Sequence, residues 1–259
     1  MNYKYIIVEI GDDFVAEITL NRPNSLNTFN IPLAMELNQA LIELDSENRA
    51  RVIIIKGAGK AFCAGIDVNN FLNKGTMEYR ASIECMENPL VTISRISKPV
   101  IAQAHGVASA NGAGLVAAAD LATAGENARI GLTAINVGLN CIGPVIPVAR
   151  SVGRKRALEL LFYGDLISAK EALAMGLINR VIPETELDRE TRNWAATLAK
   201  KSPLALQIAK KAFYSAADMD YYKSFEYMNE AFARLCSTED AKEGIHAFLN
   251  KKAPVWKQK

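Results

Sequence analysis

Two stretches constrain the fold of this chain more than any others: RVIIIKGAGKAFCAG at residues 51–65 and PVIAQAHGVASANGAG at residues 99–114. Each runs an apolar segment into a loop of glycine and alanine. The unbroken β-branched run at residues 52–55 is the pattern of a strand buried on both faces, which belongs to a largely parallel sheet. Strand-to-loop junctions of this kind are where α/β proteins place their sites. Each loop is expected to feed a helix, and the first N–H groups of a helix have no partner within it. Two such donors converging would form an oxyanion hole, with the small residues letting a carbonyl oxygen approach the main chain. Glycine and alanine also serve close helix–strand packing, so one loop alone would carry little weight.

The rest of the chain fits an α/β reading. YKYIIVEIG and FVAEITLNRP read as early strands ended by turn residues, and apolar residues at helical spacing predict a helix from about Asn30. A second helix is expected from about residue 78 to 96, ending before Lys98-Pro99. Beyond Gly153 the texture is helical, through RKRALELLFYG, SAKEALAMG, DRETRNWAATLAKK, PLALQIAKKAFYSAA and a last long amphipathic stretch to Leu249. The division expected is a core over residues 1–195 and a C-terminal helical region over residues 196–259, packed on the sheet or on another subunit.

Composition narrows the chemistry. Thirty basic and 28 acidic residues leave a net charge of +2, without the aromatic-interleaved basic patch of a nucleic-acid binder. No run of eighteen apolar residues is present to span a membrane, and the N-terminus lacks a cleavage signal, so a cytoplasmic protein is expected. Cys63, Cys85, Cys141 and Cys236 show no metal or redox spacing, and only His105 and His246 are present. Free thiols and no metal site are expected.

The chain resembles the crotonase family, the enoyl-CoA hydratase/isomerase superfamily, over nearly its whole length. The resemblance rests on ITLNRPNSLNTFN, IIIKGAGKAFCAGIDV, KPVIAQAHGVASANGAGLVAAADLATAGENARIG, NVGLN, VGRKRALELLFYGDLISAKEALAMGLINRVIP, KSPLALQIAKKAF and TEDAKEGIHAFLNKKAPVW. It implies a twisted β/α spiral core, a C-terminal helical region that builds a homotrimer or a dimer of trimers, and an acyl-CoA thioester as substrate. No separate cofactor is implied, since coenzyme A arrives as part of the thioester. The resemblance puts the oxyanion donors at the backbone N–H groups of Ile66 and Asn111. It assigns CoA contacts to Leu26 and Ala64, and to Phe248 and Lys251 where a neighbouring subunit covers adenine and phosphate; Gly65, Gly112 and Asn140 are further candidate substrate contacts, Asn140 standing where many relatives have an apolar residue. By their own residue types alone, Phe248 reads as a core aromatic on an amphipathic helix and Lys251 as a solvated surface lysine.

The departures from the family are as informative. Its hydratases carry two glutamates that act on one water, at positions where this chain has Gly114 and Ala134, and neither can move a proton. Ser109, Asn111, Thr133, Asn136, Asn140 and Cys141 remain near the presumed pocket, polar but not acidic. Cys141 reads as a small buried hydrophobe and Asn140 as a loop cap. Counting back from Pro99 without gaps puts Glu87 on the segment from which some relatives project a catalytic side chain, with Glu84 one turn away. Acids on a mid-chain helix ordinarily make a solvated face, so Glu87 is a candidate acid/base only. Asp67 is expected to cap the helix after the first loop, and Asp120 to anchor a turn.

Two kinds of function follow. One is an acyl-CoA hydratase or isomerase working through an enolate, possible substrates including dienoyl and cyclic dienoyl thioesters, with decarboxylation or thioester hydrolysis on the same fold as alternatives. The other is a pseudoenzyme that binds acyl-CoA without turning it over, and fold alone does not decide between them.

Overall fold

The computed structural model describes residues 3–70 and 72–259. The N-terminal half contains β1 (Ile6–Ile10), β2 (Val15–Leu20), α1 (Ile31–Ser46), β3 (Val52–Gly57), α2 (Thr76–Arg95), β4 (Val100–Ala104), β5 (Val107–Ser109), α3 (Asn111–Ala118) and β6 (Leu121–Gly125). Then follow β7 (Arg129–Gly131), α4 (Val145–Tyr163), β8 (Ile167–Ser168), α5 (Ala169–Ala174), β9 (Arg180–Ile182), α6 (Leu187–Ala199), α7 (Pro203–Ala216), α8 (Tyr221–Cys236) and α9 (Glu239–Leu249).

Six strands form one sheet in the order β1-β2-β3-β4-β6-β9. Only the β1–β2 pair is antiparallel, and the remaining pairs are parallel. Residues 52–55 are buried throughout, as a doubly covered strand requires. Their side chains alternate between two packed layers. Ile53 and Ile55 join the main core with α1 residues Leu37, Leu41 and Leu44, while Val52 and Ile54 face Ala195 and Ala199 of α6. The remaining strands pair as a second sheet in the order β5-β7-β8. Its strands are two or three residues long, too short to show alternation.

Asn30 caps α1 by accepting from Leu33 N–H at 3.0 Å, with Pro32 in the first turn. The second glycine loop runs into α3 as expected. The first does not run into a helix. Residues 68–70 form a single 3-10 turn, and α2 starts only at Thr76, where the Glu78 carboxylate accepts from Gly75 N–H at 2.8 Å. Asp67 therefore serves that short turn, accepting from Asn69 N–H at 3.3 Å, and its main partner is Arg22 at 2.7 Å. The last amphipathic stretch is two helices rather than one, because Thr238 accepts from Ala241 N–H and starts α9 afresh.

Asp120 ties the helical region to the sheet. Its carboxylate accepts from Val100 N–H at 2.7 Å and from the Tyr214 hydroxyl at 2.9 Å, and pairs with Lys210 Nζ at 2.7 Å. Lys210 also donates to the Lys98 carbonyl at 2.7 Å, so α7 is bound to the start of β4.

Candidate active site

The two glycine loops are sewn together by main-chain hydrogen bonds. Phe62 N–H donates to His105 C=O at 2.9 Å, Cys63 N–H to Val107 C=O at 3.1 Å, and Ser109 N–H to Cys63 C=O at 2.9 Å. Gly112 makes this approach possible: a Cβ there would stand 2.2 Å from the Cys63 carbonyl oxygen. Gly65 has φ +107°, a conformation that favours glycine, and a Cβ there would meet the Ala110 methyl at 3.1 Å.

The Ile66 and Asn111 N–H groups are among the loop donors that this stitching leaves without an acceptor. Phe29 N–H donates to Gly65 C=O at 2.7 Å and Asp67 N–H to Phe29 C=O at 2.8 Å, so the extended segment turns the Ile66 N–H to its other side. Asn111 is the first residue of α3, where a helical N–H has no partner within the helix. Neither N–H has an acceptor among the described residues. Ala110, immediately before, is held at φ 49° and ψ −112°, strained for a residue with a side chain. Its N–H is fixed by Gly131 C=O at 2.9 Å, and its own carbonyl takes the Gly114 N–H at 2.9 Å.

Ile66 and Asn111 line one cavity of about 610 Å³. Ala64, Gly65, Ala110 and Cys141 contribute to its wall, and Val68, Ile83, Val137, Leu139 and Ile142 are apolar side chains left exposed around it. Glu87 enters from α2 and is the one carboxylate among the lining residues. Its carboxyl has no hydrogen bond or ion pair among the described residues, and burial raises its pKa above the ordinary carboxylate value. The carboxyl lies against Gly143, where a Cβ would stand 1.7 Å from Glu87 Oε1. Cys141 is buried, and burial raises its pKa, so it is held as a thiol.

The structure brings Ile66, Asn111, Ala64, Gly65, Asn140 and Glu87 into one cavity. Asn140 Oδ1 accepts from Cys141 N–H at 2.8 Å, leaving the Asn140 amide nitrogen without a partner among the described residues. Leu26, at φ 49°, stands beside the wall and accepts from Ala64 N–H at 3.0 Å. Glu84 is exposed and does not line the cavity, so the two α2 acids do not act as a pair. Phe248 is 82% exposed on α9, and Lys251 follows it at φ 52°; neither lines this chain's cavity. Among the described residues, no group of three His, Cys, Asp or Glu side chains could hold a metal ion.

Sequence reasoning missed Gly143, Met86 and Ile83. Ile83 carried a signal, lying four residues before Glu87 and so on the same helical face. Gly143 carried none, since its closeness to Glu87 exists only in the folded chain. Gly114 is also explained by packing: a Cβ there would meet Leu90 Cδ2 at 2.8 Å and Pro144 Cβ at 3.0 Å. A side chain at residue 114 would have to displace the Leu90 methyl and press on Pro144.

A family profile described as enoyl-CoA hydratase/isomerase matches residues 11–259. The chain belongs to the enoyl-CoA hydratase/isomerase family. Its fold is accordingly the crotonase-type spiral with a helical C-terminal region. The human enoyl-CoA hydratase domain-containing protein 3, mitochondrial, is 34% identical over 245 residues, covering 94% of this chain and 81% of the relative. The short-chain-enoyl-CoA hydratase of Clostridium acetobutylicum is 30% identical over 240 residues, covering 92% of both. The crystal structure of an enoyl-CoA hydratase from Mycobacterium smegmatis superimposes with a TM-score of 0.94 at 33% identity, covering 98% of this chain and 99% of that one. As a family member the chain has no helix among the described residues that is long and apolar enough to cross a membrane.

Proposed function

We propose that the protein is an acyl-CoA-processing enzyme of the hydratase/isomerase type, in which the Ile66 and Asn111 N–H groups bind a thioester oxygen and Glu87 transfers the proton. The observation that carries this reading is the convergence of two unpartnered main-chain donors and one unpartnered carboxyl on a single apolar cavity.

The chemistry follows from that placement. A thioester whose carbonyl oxygen accepts from both N–H groups gains acidity at C2, because the negative charge of the enolate falls on the held oxygen. One preorganised donor of this kind is worth about 3 kcal/mol. The Glu87 carboxylate takes the C2 proton of a 3-enoyl thioester, and the electron pair moves into a dienolate. The resulting carboxylic acid then protonates C4, leaving the double bond between C2 and C3 and restoring the carboxylate. A single carboxyl completes this double-bond migration, and a pKa raised by burial above the ordinary carboxylate value favours a group that gives back the proton it takes. Water addition is the second reading, favoured by the names of the relatives and by the free amide of Asn140 in the wall. It uses the same Glu87 and the same donors.

The partner is thus an acyl-CoA thioester, with no cofactor beyond the CoA it carries. Tyr221, Tyr222, Phe225 and Phe232 lie exposed on α8, which has no buried residue in the single chain. This supports assembly as a homotrimer or a dimer of trimers, to be checked by light scattering of the eluting protein. Four free cysteines support a reducing compartment such as the cytoplasm.

The test is a panel of 2-enoyl, 3-enoyl and dienoyl CoA thioesters followed by absorbance and mass. Turnover that disappears in Glu87→Gln is the expected result. Binding of CoA esters without turnover of any member would identify a binding protein and refute the enzyme.

A further inference from the structure

The two main-chain donors of the cavity are held in different ways. Asn111 N–H opens α3, so the helix fixes its direction. Ile66 has no such support: residues 64–67 lie in no helix, and Ile66 pairs with Phe29 as an isolated bridge. Phe29 clamps both peptide units around Ile66. The Gly65 carbonyl accepts from Phe29 N–H at 2.7 Å, and a trans unit carries its C=O and N–H on opposite sides, so the Ile66 N–H points away from Phe29. The next unit reverses, its Asp67 N–H donating to the Phe29 carbonyl at 2.8 Å. The aim of the Ile66 donor therefore follows the position of Phe29.

One guanidinium spans that bridge. Arg22 Nη1 donates to the carbonyl of Thr28, the residue before Phe29, and Nη2 pairs at 2.7 Å with Oδ2 of Asp67, the residue after Ile66. Arg22 is anchored in turn, its N–H donating to Asn27 Oδ1 at 2.8 Å while Asn27 Nδ2 donates to the Ala58 and Ala61 carbonyls, each at 2.8 Å. Asp67 Oδ1 is held from its other side by Asn69 Nδ2 at 3.0 Å. The Arg22 and Asp67 side chains are 15% and 9% exposed, so solvent screens the pair little. The hydrogen bond from Arg22 holds the Asp67 carboxyl below the usual carboxylate range, which keeps the pair charged. Neither side chain lines the cavity, so neither acts on a substrate directly. A planar fork with two donors in fixed directions suits this span, which the point charge of a lysine does not reproduce.

We propose that the Arg22–Asp67 pair is a positioning device for the reaction: by fastening Thr28 to Asp67 it fixes the Phe29–Ile66 bridge and aims the Ile66 N–H at the thioester oxygen. This inference rests on the Ile66 N–H binding that oxygen, but not on which of the two reactions follows.

The test is difference infrared spectroscopy of butanoyl-CoA, isotope-labelled at the thioester carbonyl, bound to the intact protein, to Asp67→Asn, to Arg22→Gln and to the double variant. A carbonyl that accepts from both donors stretches at a lower frequency than in the free thioester. The intact protein should show this lowering, and each single variant should lose about half of it, as one of two donors is misdirected. The double variant should lose no more than either single one, because the pair acts as a unit. Hydrogen exchange at C2 of the same thioester should slow by about tenfold in each variant, a part of the roughly hundredfold that a missing donor costs. Asp67→Asn keeps the shape of the side chain and decides the question by itself if Arg22→Gln does not fold. The full lowering retained in a folded Asp67→Asn, even with a reduced melting temperature, would overturn the proposal and leave the pair a purely structural one. No lowering in the intact protein with the thioester bound would instead refute the thioester-oxygen reading beneath it.

Discussion

The Glu87 carboxyl occupies the space that a side chain on Gly143 would fill, with Oε1 standing 1.7 Å from the position of the missing Cβ. The glycine thus fixes where the one carboxylate of the cavity can lie. Gly143→Ala displaces the end of a flexible side chain rather than backbone, so the melting temperature should stay close to that of the wild type. Turnover number should fall, by on the order of a hundredfold if the carboxyl moves by about 1 Å. Steady-state kinetics beside a thermal melt separate the two effects. Loss of fold in place of loss of rate would contradict this account.

Burial alone raises the pKa of Glu87, so the sign of its effect on stability is fixed. A carboxyl whose folded pKa lies above its unfolded value adds stability that is complete below the unfolded pKa and is lost as pH rises through the folded one. Glu87→Gln should therefore match the wild type in acid and become the more stable of the two toward neutrality. Chemical denaturation from about pH 4 to about pH 8 reads this out. In the active protein, rate should rise with pH through a midpoint above 4.5, the ordinary value of the carboxyl.

Ala110 precedes the Asn111 donor with φ 49° and ψ −112°. Conformations of this kind cost about 1–3 kcal/mol when a side chain is present. Ala110→Gly relieves that strain against about 0.5–1 kcal/mol of extra chain entropy, so its stability should equal or exceed the wild type. Ala110→Val, β-branched at positive φ, should lower it sharply. Urea unfolding of the two variants gives the comparison, and a Val variant as stable as wild type would show the strain to be unimportant.

Restoring a carboxylate at Gly114 should fail. Leu90 and Pro144 already fill that space, and overpacking costs about 1–3 kcal/mol. Gly114→Glu is expected to melt earlier and to gain no hydratase rate, measured on the same CoA ester panel.

Asp120 serves Val100, Tyr214 and Lys210 together. Burial lowers the Lys210 pKa, and the Asp120 charge opposes that. Asp120→Ala leaves a buried lysine unpaired, so a loss of about 3–5 kcal/mol is expected in urea unfolding. Asp120→Ala with Lys210→Met should recover part of it.

Much of this was legible in the sequence where the signal was local. The VIII run announces a doubly buried strand, Asn30 announces the start of α1, and the Gly/Ala texture announces two loops that approach each other closely. Glu87 could be placed because α2 holds its register to within a residue or two of Pro99. The short strands β5, β7 and β8 were not legible, since two or three residues show no alternation. The first glycine loop does not feed the helix expected of it, although its Gly/Ala texture copies the second. The signal for the real start lay later, in Gly75 and Glu78. Gly143 and the packing at Gly114 depend on contacts between distant segments, which no local pattern encodes.

The measurement closest to the central claim is hydrogen exchange at C2 of saturated butanoyl-CoA in deuterium oxide, followed by mass spectrometry. It requires only an enolate and a proton carrier, and no commitment to hydration or migration. The wild type should catalyse deuterium uptake at C2, and Glu87→Gln should not. No uptake by wild-type protein saturated with the thioester, or equal uptake by Glu87→Gln, would contradict the account.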